Sequence, residues 1–283
     1  MTSINAHKLA KLATTALTTE VTLAPKPGLV DPVSNGAHRD MDYALFIKSI
    51  EALAPYFDDY VTLGATSVTL PVLFDALRKR GVVAEQAMLT ATNQINTHKG
   101  ANFSFAFILG AIGWCQKHDG LGLNYHRVFE TVSTMTAGMV ARDFKHLEQK
   151  SVLSYGEKLY LEHGLTGIRG EAEEGYPILQ KEALPFLARW QAVTPEERYL
   201  RLMVHLMATV SDMNLIHRGG LEAWQRVQAE AQKLEDEQLS LESLKRRLAD
   251  WDDAFIQAHL SPGGTADILA LAIFFDQLSA IDD

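Results

Sequence analysis

The sequence predicts an all-α fold built as a single domain. Three observations carry that expectation. Apolar residues recur at helical spacing from one end of the chain to the other, and alternating strand patterns are missing. Glycine, proline and charge are gathered into five short interruptions of an otherwise hydrophobic pattern.

In the first element Leu9, Leu12/Ala13, Ala16/Leu17 and Val21 trace one face, and Leu45, Phe46, Ile50 and Leu53 trace the next. Further helical stretches are expected near 70–80, 83–97, 101–118, 125–143, 154–163, 177–190, 195–211, 220–235, 240–259 and 265–280. Lys117 and His118 ahead of Gly120 form an ordinary helix C-terminus. Val82-Val83 is too short for a strand. No fixed-period repeat or low-complexity linker divides the chain, so one domain over 1–283 is expected.

With 283 residues and 47% apolar content the chain can bury a large core. No run reaches the ~18–20 apolar residues that span a bilayer. The nearest, 103–115, is short and contains Ser104. Residues 1–21 are amphipathic, with Lys8, Lys11 and Glu20 among Ala and Leu, and lack the apolar block of a secretory signal. The lone Cys115 excludes an internal disulfide and reads as a small buried hydrophobe. These features predict a cytoplasmic protein without a membrane partner. A formal charge of −9 argues against nucleic acid, which needs a broad basic surface. An anionic ligand would therefore require a local basic cluster or a metal ion.

The chemistry sits in the five interruptions. TNQINTHKGANFSF (92–105) places Asn93, Asn96, His98, Lys99, Gly100 and Asn102 in the most apolar region. An unpartnered buried amide or hydroxyl costs roughly 2–7 kcal/mol, so either these groups satisfy one another or a ligand does. Lys99 has no sequence-local carboxylate, which suits an anion, and His98 titrates near neutrality. APKPGLVDPVSNGAHRDMD (24–42) supplies Lys26, Asp31, His38, Asp40 and Asp42, and exceeds the ~2–8 residues of a plain helix connection. Asp31-Pro32 and Asn35-Gly36 have turn readings and Asp40 a capping one. Carboxylates so close together also suit a hard cation. GIRGEAEEGYP (167–177) is either a solvated acidic patch or a tight phosphate contact, its glycines letting Arg169 reach a ligand ahead of Glu171, Glu173 and Glu174. SDMNLIHRGG (211–220) is either a polar helix end or a set of oxygen ligands, Asp212 and Asn214, with Arg218 as a phosphate clamp. LSPGGTADILA (260–270) opens a helix that Ser261 or Thr265 can cap. There Gly263 and Gly264 allow a ligand to approach the backbone, and Asp267 in the first turn suits Mg²⁺ beside phosphates. A bland turn with a cap is the competing reading.

Six stretches in collinear order, from Glu20 to Ala270, resemble the ATP:dephospho-CoA triphosphoribosyltransferase family. They are E-V-x-L-x-P-K-P-G-L-V-D (20–31), N-G-A-H-x-D-M-D (35–42), T-N-x-x-N-T-H-K-G-A (92–101), R-G-E-A-x-x-G-Y-P (169–177), D-x-N-x-x-x-R-G-G (212–220) and S-P-G-G-T-A-D (261–267). Each is modest alone, and all six in order are specific. The resemblance implies transfer of the 5-triphosphoribosyl group of ATP to the ribose 2'-hydroxyl of 3'-dephospho-CoA, with release of adenine. The product would be the precursor of the prosthetic group that a holo-acyl-carrier-protein synthase attaches to citrate lyase or malonate decarboxylase. DPVSNGAHRDMDYALF (31–46) looks more like the citrate lyase branch. Under this resemblance Lys26, Asn96, Lys99, Arg169, Arg218, Gly263 and Gly264 are expected to bind ATP and its phosphates. Asp31, Asp40, Asp212 and Asp267 are expected to hold Mg²⁺. The base is His98 or Glu171, acting through an oxocarbenium-like displacement.

Two other classes fit parts of the pattern. A Mg²⁺-dependent all-α hydrolase of nucleotides or ADP-ribosyl groups would turn the same carboxylates on water, and His118-Asp119 superficially matches the His-Asp pair of such enzymes. A helical adaptor without catalysis would leave the five charged, glycine-rich segments without a purpose. Adenine release that requires both ATP and dephospho-CoA separates the transferase from either.

Overall fold

Asn5 starts the first helix in the computed structural model, which describes residues 5–119 and 124–282. Its side chain accepts the Lys8 N–H, and α1 (Ala6–Thr22) then buries Leu9, Ala13, Ala16, Leu17 and Val21 on one face. The first four residues of the amphipathic start and the expected helix stop at Gly120 lie outside the described residues. The chain continues as α2 (Tyr43–Thr66), α3 (Leu70–Ala91), α4 (Lys99–His118), α5 (Tyr125–Thr136), α6 (Met139–Asp143), a 3₁₀ turn (Leu147–Gln149) and α7 (Tyr155–His163). It closes with α8 (Gly167–Glu173), a π-turn (Leu179–Ala183) running into α9 (Leu184–Arg189), α10 (Pro195–Thr209), α11 (Met213–Asp236), α12 (Leu241–Ala258) and α13 (Gly263–Asp282). Among the described residues no strand forms, as the periodicity predicts. No helix among them is long and apolar enough to cross a membrane.

Several boundaries differ from the sequence reading. The stretches expected at 70–80 and 83–97 are one helix, α3, whose buried stripe of Leu73, Leu77, Ala84 and Met88 runs straight past Gly81. It ends early because Asn93 and Gln94 take left-handed backbone conformations (φ 53° and 67°), which short polar side chains tolerate best. The stretch expected at 125–143 breaks at Gly138, whose left-handed φ of 72° opens α6. The loop expected at 167–177 is helical over α8. There the Glu173 carboxylate accepts the N–H groups of Gly138 and Val140, so part of the acidic run caps a neighbour. Asp42, not Asp40, caps α2 by accepting the Leu45 N–H at 2.8 Å.

The core is contiguous, and two helices that are apolar all round sit at its centre. Along α4, Phe105, Ile108, Leu109 and Ile112 are fully buried, as are Leu269, Ile273 and Phe274 along α13. Phe105 meets Phe274 edge to face at 5.6 Å. Burial of each such side chain contributes roughly 1.5–3 kcal/mol, so this seam holds the two helices in register. α2 packs on α4, α1 packs on α2 and α13, and α10 packs on α11 and α13. The arrangement brings the first turns of α4, α11 and α13 to the wall of one cavity.

Candidate active site

A cavity of about 750 Å³ opens where these helix starts meet the long loop after α1 and the α8 segment. All five polar interruptions reach its wall. Of the residues expected to act, Lys26, Asn96, His98, Lys99, Arg169, Glu171, Arg218, Gly263, Gly264 and Asp267 line it. Asp31, Asp40 and Asp212 do not.

The carboxylates divide by what already holds them. Asp31 is buried and accepts the N–H groups of Lys26, Val33 and Ser34, which fixes the turn of the long loop. Asp212 is buried at the start of α11. One oxygen accepts the N–H groups of Asn214 and Leu215, and the other accepts the N–H and hydroxyl of Thr265. It thereby clips the first turns of α11 and α13 together, so Thr265 serves this clip and not a cap on its own helix. Asp40 is exposed on the loop. Asp267 faces the cavity. Burial, and then the carboxylates of Glu20 and Asp212, push its pKa well above the usual range, while the Ala101 N–H pulls the other way. Among the described residues no set of three or more His, Cys, Asp or Glu side chains gathers as a metal site. The oxygen donors that face the cavity, Asp267 with Glu20 beside it, fit a hard cation carried in by phosphate oxygens, because Mg²⁺ typically needs only one or two protein carboxylates.

The glycines act mainly on packing between helices. A Cβ on Gly100 would collide with Asp267 Oδ2, so glycine is what lets the start of α4 close on that carboxylate. A Cβ on Gly263 would collide with the Asn214 amide, and one on Gly264 would crowd Asp212 at 3.2 Å. The expectation that these two glycines serve a ligand's approach is therefore only part of their role: they let α13 meet α11.

The cations are held in different ways. Lys26 is 1% exposed and donates to the Glu20 backbone carbonyl at 2.8 Å and to Glu20 Oε1 at 2.5 Å. Its ammonium charge is thus matched by Glu20, the buried acid on the α1 stripe. Burial nonetheless raises the Glu20 pKa, against the pull of Lys26. Lys99 pairs with Glu85 of α3 at 2.7 Å, a carboxylate that sequence proximity does not reveal. Arg169 donates through Nε to Asp143 at 2.9 Å and lies near the rings of Phe103 and Phe144. Among the described residues its terminal nitrogens make no hydrogen bond. Arg218 is braced by the carbonyls of Ala37 and His259 and by His38 Nδ1, each at 3.2 Å. His38 in turn meets Ser261 Oγ at 3.0 Å, and burial followed by the Arg218 charge lowers its pKa. Asn96 Oδ1 accepts the Lys99 N–H at 3.3 Å.

Two candidates for proton transfer stand in opposite environments. Glu171 on α8 is partly buried, and its Oε2 accepts the Ile178 N–H at 3.3 Å. Desolvation raises its pKa to about 7, with neighbouring Glu174 adding to the rise. His98 is 3% exposed and meets the Phe46 ring in a T-shaped contact at 4.9 Å. Desolvation, and then Lys26, lower its pKa to about 3. Its Nδ1 lies 2.7 Å from Ser49 Oγ, and its buried Nε2 has no partner among the described residues. Sequence reasoning missed Ser49 and undervalued Glu20; each is a polar residue on an otherwise apolar helical stripe. His118 and Asp119 lie outside the cavity, His118 stacked on Trp114 at 3.9 Å and Asp119 bonded to Arg127.

The cavity brings a carboxyl group whose pKa is raised to about 7 together with Arg169 and Arg218, an arrangement suited to an enzyme that acts on phosphorylated substrates. The family follows from comparison: a model of the ATP:dephospho-CoA triphosphoribosyl transferase family matches residues 6–283, and the chain belongs to that family. It is a transferase, with ATP and dephospho-CoA as its substrates. A relative from Streptococcus equi subsp. zooepidemicus (strain MGCS10565), named a probable 2-(5''-triphosphoribosyl)-3'-dephosphocoenzyme-A synthase, is 45% identical over 279 residues, covering 94% of this chain and 95% of its own. A relative of the same name from Streptococcus mutans serotype c is 42% identical over 288 residues, covering 96% and 97%. No solved structure matches the chain.

Proposed function

We propose that the cavity holds ATP and 3'-dephospho-CoA together and that Glu171 receives the proton of the attacking 2'-hydroxyl. The observation that carries this reading is the Glu171 pKa of about 7 on the wall of a cavity rimmed by Arg169 and Arg218. A base works best when its pKa lies near the working pH, and His98, held to about 3, is too weak for the task. The O2'–C1' bond forms as the C1'–N9 bond to adenine breaks. The proton lost by the hydroxyl balances the one adenine gains, and the triphosphate stays on the transferred ribose. Arg169, Arg218 and Lys99 face the phosphates, and the first turns of α4 and α13 add their dipoles.

Asp267, with Glu20 beside it, would hold Mg²⁺ brought by ATP. The ion would supply neutralisation of the triphosphate charge. The product serves as precursor of the acyl-carrier prosthetic group of citrate lyase, taken up by a holo-acyl-carrier-protein synthase, and the enzyme works in the cytoplasm. The pH profile of kcat/KM tests the base. Activity should rise with pH along a limb centred at about 7, because the ionised Glu171 is the active form. Glu171→Gln should remove that limb and lower kcat by roughly 10²–10⁴-fold. A Gln variant with near-normal turnover and an unchanged limb would contradict the assignment.

A further inference from the structure

The surroundings of His98 determine which of its nitrogens carries the proton. Thr97 Oγ1 donates to Ser49 Oγ at 2.6 Å, and Ser49 Oγ lies 2.7 Å from His98 Nδ1. Among the described residues Ser49 has no other acceptor for its own proton. The serine therefore accepts from Thr97 and donates to Nδ1. A neutral imidazole whose Nδ1 accepts a hydrogen bond must carry its proton on Nε2. That nitrogen is buried and has no partner, and a buried donor left unpaired is costly. Ser49 is itself fully buried within α2, so its bond to Nδ1 is shielded from water.

We propose that His98 is a neutral Nε2–H donor to a ring nitrogen of bound adenine, its tautomer set by the Thr97–Ser49 relay. The proposal rests on the substrate reading above. The lowered pKa agrees with it, since the ring stays neutral throughout the physiological range. A neutral donor is matched to a neutral acceptor, whereas phosphate oxygens are matched by the arginines at the rim. Phe46 meets the His98 ring in a T-shaped contact, and Leu29, Val30 and Met41 line the same cavity, giving an apolar wall suited to a flat base. If the base is the one that departs, an N–H aimed at its ring stabilises the negative charge it gathers as the glycosidic bond breaks. Ser49 and Thr97 are positioning residues in this scheme.

Both ATP and dephospho-CoA carry adenine, and the experiment separates them. Nitrogen-15 NMR of the full-length enzyme at neutral pH should show His98 protonated on Nε2 and bare on Nδ1. The Nε2–H signal should move when one of the two substrates is added alone, and that substrate supplies the base. Among the 1-, 3- and 7-deaza analogues of that substrate, one should bind about tenfold more weakly than the parent to the wild type, and no more weakly than the parent to His98→Ala. His98→Gln, whose amide can place an N–H where Nε2 was, should retain kcat within about tenfold of wild type, whereas His98→Ala should lose about 10²–10³-fold. Ser49→Ala should mix the two tautomers, and Ser49→Thr should restore the Nε2–H form. Protonation on Nδ1 in the wild type would overturn the proposal even if a variant failed to fold. So would equal binding of all the deaza analogues. If adenine is never released from ATP, the substrate reading fails, while the tautomer result stands on its own.

Discussion

Glutamine at position 171 should stabilise the fold in alkaline buffer while removing activity, because the wild-type carboxylate is held where its charge is disfavoured. Desolvation lifts its pKa from 4.5 to about 7. A pKa difference of one is worth 1.36 kcal/mol, so keeping this group ionised in the folded state costs up to about 3 kcal/mol, less for the part of the side chain that water still reaches. The sign follows from the direction of the shift. A carboxyl with a raised folded-state pKa binds its proton more tightly when folded, so its contribution to stability is present at acid pH and is lost as pH rises through about 7. Glutamine does not titrate. Between about pH 5.5 and about pH 8 the Gln variant should therefore gain about 1–2 kcal/mol on the wild type. Urea denaturation of both proteins at the two pH values measures the difference, and the other titrating groups cancel between them. A gap that stays constant with pH, or that favours the wild type as pH rises, would refute the reasoning and with it the buried-base assignment.

Lys26→Met should destabilise the protein by roughly 3–5 kcal/mol, because it strands the buried Glu20 carboxylate. Adding Glu20→Gln should recover much of that loss, whereas a Lys26 that only bound phosphate would leave the denaturation midpoint unmoved. In excess EDTA, ATP binding followed by calorimetry should weaken and adenine release should stop, both returning with Mg²⁺. Like charges at 4 Å repel by about 4 kcal/mol at an effective dielectric near 20, and Asp267 lines the cavity proposed to hold the triphosphate. Asp267→Asn should reduce the Mg²⁺ dependence of binding, and tight binding without any divalent ion would contradict the metal assignment.

The helical pattern and the segments that carry chemistry could be read from the chain because each depends on neighbours in sequence. The roles of individual acids could not. Asp31 precedes Pro32 in the long loop, and Asp212 and Asp267 lie at helix starts, all within polar interruptions; yet backbone amides hold the first two and the third faces the cavity. Asp31 is held within its own loop, whereas what Asp212 and Asp267 meet depends on how the starts of α11, α4 and α13 come together. The same limit hid the pairing of Lys99 with Glu85 on another helix. It also hid Ser49, which periodicity places on a buried face beside Ile50 without saying that His98 stands across from it. Glu20 was open to notice. An acid on the stripe of Leu9, Ala13, Leu17 and Val21 must find a partner, and Lys26 follows it closely in the chain.

Free adenine, quantified by chromatography after incubating the enzyme with Mg²⁺ and its substrates, tests the central claim most directly. Adenine should appear only when ATP and 3'-dephospho-CoA are both present, in equal amount to a product that carries the triphosphate on the dephospho-CoA ribose. Adenine, ribose triphosphate or inorganic phosphate released at the same rate from ATP alone would contradict the account and make the cavity that of a hydrolase.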